Sequence, residues 1–454
     1  MTQSVSPLKI SPPDCEKSEL SPEFLLYYGR VIKALLKTAV ITLIITATCV
    51  YVFGFYPLRN PHPGLVLPHT TLVIRGAKVY PSPDLPPLEN ATILIRDGRI
   101  AAVGDASLNM PAEAQAILCD HCVVTAGFWN AHVHFTERKW SNAEWANASR
   151  LNDQLADMLT SRGFTTVVDT GSNLRDTIPI RRRIETGQLA GPYIYTAGSA
   201  IYPPNAIPFY LRNTLPRWLL PLLDQPATPE KAAKVVERNI AEGADILKLF
   251  TGSYAERTRI VPMPEPIATA AANVAHAHQE LVFAHPSNLA GVLVAVHSGV
   301  DVLAHAPDNT EGVDAALLQS IVARHMAMIP TLKMFATTVT KNPAYIDPIH
   351  AEVREFHALG GQLIFGTDVG YMTDYTTTDE FTALAATGLD YKDILRMLTT
   401  APASRFNVTA DKGTVEAGKF ADLVVLDADP ATDVTAFSRV RTTIRTGRII
   451  YSRP

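Results

Sequence analysis

Eight short apolar runs alternate with eight helical patterns along this chain, and few folds accommodate that rhythm. The runs lie at 123–134, 164–170, 193–198, 244–250, 281–285, 301–306, 326–332 and 363–368. Each has the length of a buried strand. Helical patterns follow at 149–162, 178–187, 229–242, 265–280, 288–298, 312–324, 347–359 and 391–400. Strands that each lead into a helix read as parallel neighbours joined by crossovers. Eight such units predict an α/β fold, a (β/α)8 TIM barrel over 125–408, with chemistry at the carboxyl ends of its strands.

Strand-rich sequence stands on both sides of this block. Runs at 71–75, 91–96 and 99–103 come first, and Asp97-Gly98 supplies the two-residue turn that joins the last two. Ala421-Asp422-Leu423-Val424-Val425-Leu426-Asp427 and the stretch 440–451 close the chain. The expectation is a small β-sandwich, 71–124 with 409–454, into which the barrel is inserted. Upstream lie a polar tail, 1–37, and a proline-rich linker, 57–70. Between them the run 38–56 carries no charge and is long enough, at ~1.5 Å per residue, to cross a ~30 Å hydrocarbon core. It reads as a single transmembrane helix. Arg30, Lys33 and Lys37 precede it and Arg59 follows, so the tail is expected in the cytoplasm and the barrel outside it. The alternative is secretion after signal cleavage, but the charged region is long for a signal and no clear small-residue cleavage site follows.

With 454 residues, 47% hydrophobic and 19% charged, the chain has the composition of a globular enzyme with a large core. Its net charge of -4 and lack of a basic stripe argue against nucleic acid. Prolines cluster at 57–87 and 202–226, which predicts extended loops there. Cys119-Asp120-His121-Cys122 has no second cysteine pair with which to build a zinc ribbon, so it is either a local disulfide or two buried thiols. The sequons at Asn90, Asn147 and Asn407 are near the number chance gives, and they matter only in a eukaryotic secretory pathway.

Chemistry concentrates at strand ends. Gly127-Phe128-Trp129-Asn130-Ala131-His132-Val133-His134 ends in two imidazoles two residues apart, which a strand turns to the same side. They are positioned to share one metal ion, zinc being the first expectation. Further ligand-bearing ends follow: His285 after Leu281-Val282-Phe283-Ala284, His305 after Val302-Leu303-Ala304, and Asp368 after Phe365-Gly366-Thr367. Lys248 ends the run Ile246-Leu247, although an ammonium has no lone pair to give a cation. His276, His278, His297, His325, His350 and His357 lack a strand-end setting and read as surface or core residues.

These residues resemble the amidohydrolase superfamily, in its imidazolonepropionase-like and prolidase-like branch. The resemblance spans 71–454, including Asp97-Gly98-Arg99-Ile100-Ala101-Ala102-Val103-Gly104 and Gly413-Thr414-Val415-Glu416-Ala417-Gly418. It implies that His132 and His134 bind the more buried of two divalent metals, that Lys248 is carboxylated by carbon dioxide and bridges both, and that His285 and His305 bind the second. Asp368 would touch the first metal and carry protons. The implied activity is hydrolysis of an amide bond, in a dipeptide, N-acyl amino acid or related small molecule, by a hydroxide held between the metals. Tyr254 is a candidate substrate contact. Ala126 stands where the family has proline, and Pro286 after His285 alters the loop beside the second metal. Alternatives are a cyclic-amide hydrolase or a deaminase; a one-metal deaminase has no need of Lys248. A catalytically inactive, membrane-anchored binding barrel is the rival from another class, but such proteins lose ligands that are all present here. A homo-oligomer is left open.

Overall fold

The computed structural model describes residues 22–54, 62–108, 111–112 and 114–453, with side chains in the first helix at 26–27 and 29–46. It divides into two units at Pro57 and Leu58. The first contains α1, Pro22–Gly54, whose described apolar side chains, among them Leu35, Ile41 and Leu43, are exposed. Among the described residues no helix is long and apolar enough to cross a membrane. The expected span 38–56 runs past residue 46, and from there its side chains lie outside the described residues.

In the second unit β1 (Thr71–Val79), β2 (Leu88–Arg96), β3 (Arg99–Gly104), β4 (Gln115–Leu118) and β5 (Val123–Ala126) form the entry strands. The β2–β3 turn uses Asp97 and Gly98 at φ 51° and 77°, the left-handed pair that a tight hairpin demands. Cys119 and Cys122 are joined as a disulfide between β4 and β5.

The barrel then alternates β6 (Phe128–Val133), α2 (Ala148–Met158), β7 (Phe164–Asp169), α3 (Leu174–Glu185) and β8 (Tyr193–Thr196). After α4 (Phe209–Thr214) and α5 (Pro229–Ala241) comes β9 (Ile246–Leu249), followed by a hairpin, β10 (Gly252–Glu256) and β11 (Arg259–Pro262). Next stand α6 (Glu265–Ala277), β12 (Leu281–Ala284), α7 (Leu289–His297), β13 (Val302–Leu303), α8 (Ala315–Ala323) and β14 (Ala327–Met328). The barrel ends with α9 (Leu332–Thr338), α10 (Pro343–Ala358), β15 (Gln362–Leu363), α11 (Thr378–Ala386), α12 (Tyr391–Leu398) and α13 (Thr400–Arg405). Strands β6-β7-β8 and β9-β12-β13-β14-β15 pair in parallel, and bridges Ile201↔Leu249 and Val133↔Val369 join the two arcs. Expected helices lie within a few residues of these, while α4, α9, α11 and the β10–β11 hairpin had no clear periodic signal.

Pleating assigns the faces. Leu247, Leu249, Val282 and Ala284 belong to the layer shared with the helices, whereas Ile246 and Phe283 pack in the lumen with Val168, Val302 and Ile329. Period two therefore turns Lys248 and His285 inward as well. In β6 the register shifts between Asn130 and Val133, which re-aims the histidine pair at the lumen's mouth.

The chain returns as β16 (Leu423–Leu426), β17 (Val440–Arg445) and β18 (Arg448–Ser452). These join the entry strands in one mixed sheet, β18-β17-β16-β5-β1-β2-β3, with β4 beside β1. The strands expected to form the sandwich are thus hydrogen-bonded into one continuous sheet. One edge of β1 is shared by β4 at 72–75 and β5 at 78–79, so hydrogen bonding runs unbroken between the two halves.

Candidate active site

His132 and His134 leave β6 beside Asp368, which follows β15. The two strand ends are locked: Asp368 N donates to His132 O (2.8 Å), His134 N to Val369 O (2.8 Å), and Asn130 joins Thr367 through its side chain (2.7 Å). Gly366 permits the close approach, since a Cβ there would meet Ile329 at 2.4 Å and His132 at 2.9 Å. Asp368 Oδ1 stands 3.0 Å from His134 Nε2 and 3.4 Å from His132 Nε2, and His305 Nε2 lies 4.0 Å from Oδ2. Donor atoms of His132, His305 and Asp368 fall within 4.8 Å of one another, all buried.

The other ring nitrogens are spoken for. His132 Nδ1 faces Ala304 O at 2.7 Å and His134 Nδ1 faces Gly171 O at 3.0 Å, so each donates there and presents a bare Nε2 to the centre. His305 Nδ1 lies 2.7 Å from Thr331 Oγ1, whose own proton goes to Pro330 O (2.8 Å), which again bares Nε2. Asp368 Oδ1 has no hydrogen bond among the described residues despite its burial. Bare imidazole nitrogens around an orphaned carboxylate oxygen are a donor set for a divalent cation.

Lys248 and His285 complete the ring of predicted residues. The His285 ring stacks on Phe250 at 4.7 Å and meets the His305 ring edge-on at 4.5 Å. Lys248 is fully buried, and burial pushes its amine down to about 7 against a smaller opposing pull from Asp368. Burial, and then the Lys248 charge, hold His132 and His285 well below the usual imidazole value. At His134 burial pulls the same way, but the Asp368 and Asp169 carboxylates together outweigh it and raise the imidazole.

Sequence reasoning missed the supports. Asp169, ending β7, accepts from Ser172 Oγ (2.6 Å), Thr177 Oγ1 (2.9 Å) and Thr196 Oγ1 (2.8 Å), which fixes the turn that presents Gly171 O to His134. Thr331 sits at φ 51° and Asp368 at φ 61°, left-handed backbone that is rare for a threonine and found where function over-determines conformation. Their position at strand ends was a usable signal; their hydroxyl and carbonyl partners were not. Tyr254, the candidate substrate contact, lies on the β10–β11 hairpin. Its hydroxyl donates to Asp308 Oδ2 (2.7 Å), as does that of Tyr345 (2.8 Å), on the rim of a cavity of about 420 Å³.

Behind this rim Glu352 of α10 is 5% exposed, and neither carboxyl oxygen has a hydrogen bond among the described residues. Burial, aided by the Asp308 charge, raises it to about 9. Unfolded, the same group ionises near 4.3, so between roughly pH 4.3 and 9 the unfolded state releases a proton that the folded state keeps. Stability falls as pH rises through that window. Glu352→Gln removes the penalty, so its gain over wild type, up to about 3 kcal/mol at pH 7, should shrink toward zero at pH 4. Urea unfolding at the two pH values measures this, and an equal gain at both would contradict it.

The amidohydrolase family profile matches residues 123–450, and the chain belongs to that family. It is a hydrolase, an enzyme acting on carbon–nitrogen bonds. Among similar proteins, the imidazolonepropionase of Thermoplasma acidophilum is 24% identical over 389 residues, covering 82% of this chain and 91% of that one. A Bifidobacterium longum protein provisionally assigned as a prolidase superposes with a TM-score of 0.71 at 26% identity, covering 85% of this chain and 95% of its own. A Xaa-Pro dipeptidase with methionine in its active site gives 0.73 at 20% identity, covering 85% and 100%.

Proposed function

We propose that this protein is a membrane-tethered, metal-dependent hydrolase of amide bonds in dipeptides, N-acyl amino acids or related small molecules. The observation that carries the reading is the orphaned Asp368 carboxylate among bare imidazole nitrogens. His132, His134 and Asp368 would hold one divalent ion, His285 and His305 a second, with zinc suited to such mixed imidazole and carboxylate donors. Bound there, the ions supply an acidified water and polarise the scissile carbonyl. Asp368 takes the proton of the attacking water and passes it to the leaving nitrogen, which departs as the neutral amine.

Lys248 must first change its chemistry. With its amine pushed down to about 7, a large share is neutral at physiological pH. The free amine adds to carbon dioxide, forming a nitrogen–carbon bond and releasing a proton, and the resulting carbamate is an anion that would give the two ions a shared negative ligand. The prolidase and dipeptidase likenesses support a peptide-like substrate.

Metal analysis of the purified protein, paired with a hydrolysis screen over dipeptide and N-acyl amino acid libraries, tests the reading. About two ions per chain and turnover of an acyclic amide support it. Turnover confined to cyclic amides or to deamination would move the assignment to those classes, and no metal with no turnover would favour an inactive binding barrel.

The tether rests on the uncharged run 38–56 with Arg30, Lys33 and Lys37 before it. The barrel is then extracytoplasmic. Protease added to intact cells should digest the barrel; protection there, with digestion from the cytoplasmic side, would reverse the orientation.

A further inference from the structure

Between β8 and α5 the chain makes an excursion, 203–223, whose base is closed by Tyr202 N donating to Asp224 O (2.8 Å) and by the bridge Ile201↔Asp224. One side of it roofs the active site. Leu211 and Leu223 pack on Tyr202 and Phe250, the ring that stacks on His285, and Tyr210 meets Tyr371, three residues beyond Asp368, at 5.6 Å.

The other side faces outward and is apolar. Trp218 is 71% exposed and Leu222 70%, in the sequence Leu215-Pro216-Arg217-Trp218-Leu219-Leu220-Pro221-Leu222-Leu223. No acidic residue occurs from 203 to 223, and the charges present are Arg217 and Arg212, both exposed, Arg212 also donating one guanidinium hydrogen to Ala255 O. On the hairpin against which α4 packs, Arg257 adds a cation over the Phe209 ring, while Glu256 is paired with Arg259 at 2.9 Å. An exposed tryptophan and leucines, flanked by arginine and free of carboxylates, have the chemistry of a segment at the boundary between headgroups and acyl chains.

We propose that residues 215–223 seat in the interface of an anionic phospholipid bilayer, with Trp218 and Leu222 as the apolar insertion and Arg212 and Arg217 meeting the headgroup phosphates. This rests on the tether reading, since a chain held at a bilayer presents the loop to lipid at high local concentration. It also goes beyond it: the mouth of the barrel, which the excursion roofs, then faces the lipid surface. The arginines add attraction to negative headgroups, so the seating is stronger on anionic lipid.

The test uses the full chain in vesicles of phosphatidylcholine with phosphatidylserine, their acyl chains brominated to quench nearby tryptophan. Trp129 and Trp140 are buried, which leaves Trp145, 76% exposed, as the internal control. Wild-type emission should be quenched, Trp218→Phe should lose at least half of that quenching, and Trp145→Phe should keep it. Arg212→Gln with Arg217→Gln, or vesicles without phosphatidylserine, should weaken it. Equal quenching in wild type and Trp218→Phe overturns the loop contact while the tether stands, as does a self-association of the chain that Trp218→Phe abolishes without any quenching. Failure of the full chain to float with vesicles overturns both.

Discussion

Turnover of the Asp368→Asn variant falls by about 10² to 10⁴, the span usual for a general acid or base, while most of its metal is retained. The amide keeps the shape of the carboxylate and one oxygen donor, but at neutral pH it accepts no proton. Asparagine also tolerates the left-handed backbone, φ 61° here, so the hydrogen bond from residue 368 N to His132 O survives and the barrel closes as before. Loss of activity therefore reports on proton transfer and not on folding. Steady-state turnover alongside metal content is the measurement, and near-normal turnover would remove Asp368 from the mechanism.

Lys248→Ala loses nearly all activity and at least one of the two ions. A carbamate there would supply negative charge to both cations, and its loss would leave their mutual repulsion poorly compensated. The deletion also opens space among buried side chains, so thermal unfolding must be followed with metal content to separate a folding defect from a ligand defect. Carbon dioxide or bicarbonate should speed metal reconstitution of the wild-type apoprotein, because the neutral amine favoured by burial is the form that reacts. Two metals and full activity in Lys248→Ala would mean that the bridge is wrong, and a one-metal site of His132, His134 and Asp368 would become the better reading.

The residues at the strand ends were legible because two periodicities mark them locally. Apolar runs such as Leu281-Val282-Phe283-Ala284 need burial on both faces, and the helical patterns between them leave a closed parallel sheet as the arrangement that provides it. A ligand at the end of such a run then falls at the mouth of the barrel. On the flanks the same logic reached less far: strand content was visible at both ends of the chain, but whether β4 and β5 share one edge of β1 or start a second sheet depends on pairing register, which no local pattern sets.

What the sequence by itself determined is the eightfold alternation and the identity of the residues at the strand ends, since both follow from nearest-neighbour patterning. The tertiary structure alone decided how those residues act. The Nε2 atoms are bared because Ala304, Gly171 and Thr331, each on another strand or its following loop, take the opposite ring protons. Lys248 is an available amine because the packed lumen strips its water, and Tyr254 on the β10–β11 hairpin finds its acceptor in Asp308, 54 residues further along the chain. Hydrogen-bond partners and desolvation are properties of the closed barrel, in which residues distant along the chain share one small volume, and no local pattern encodes them.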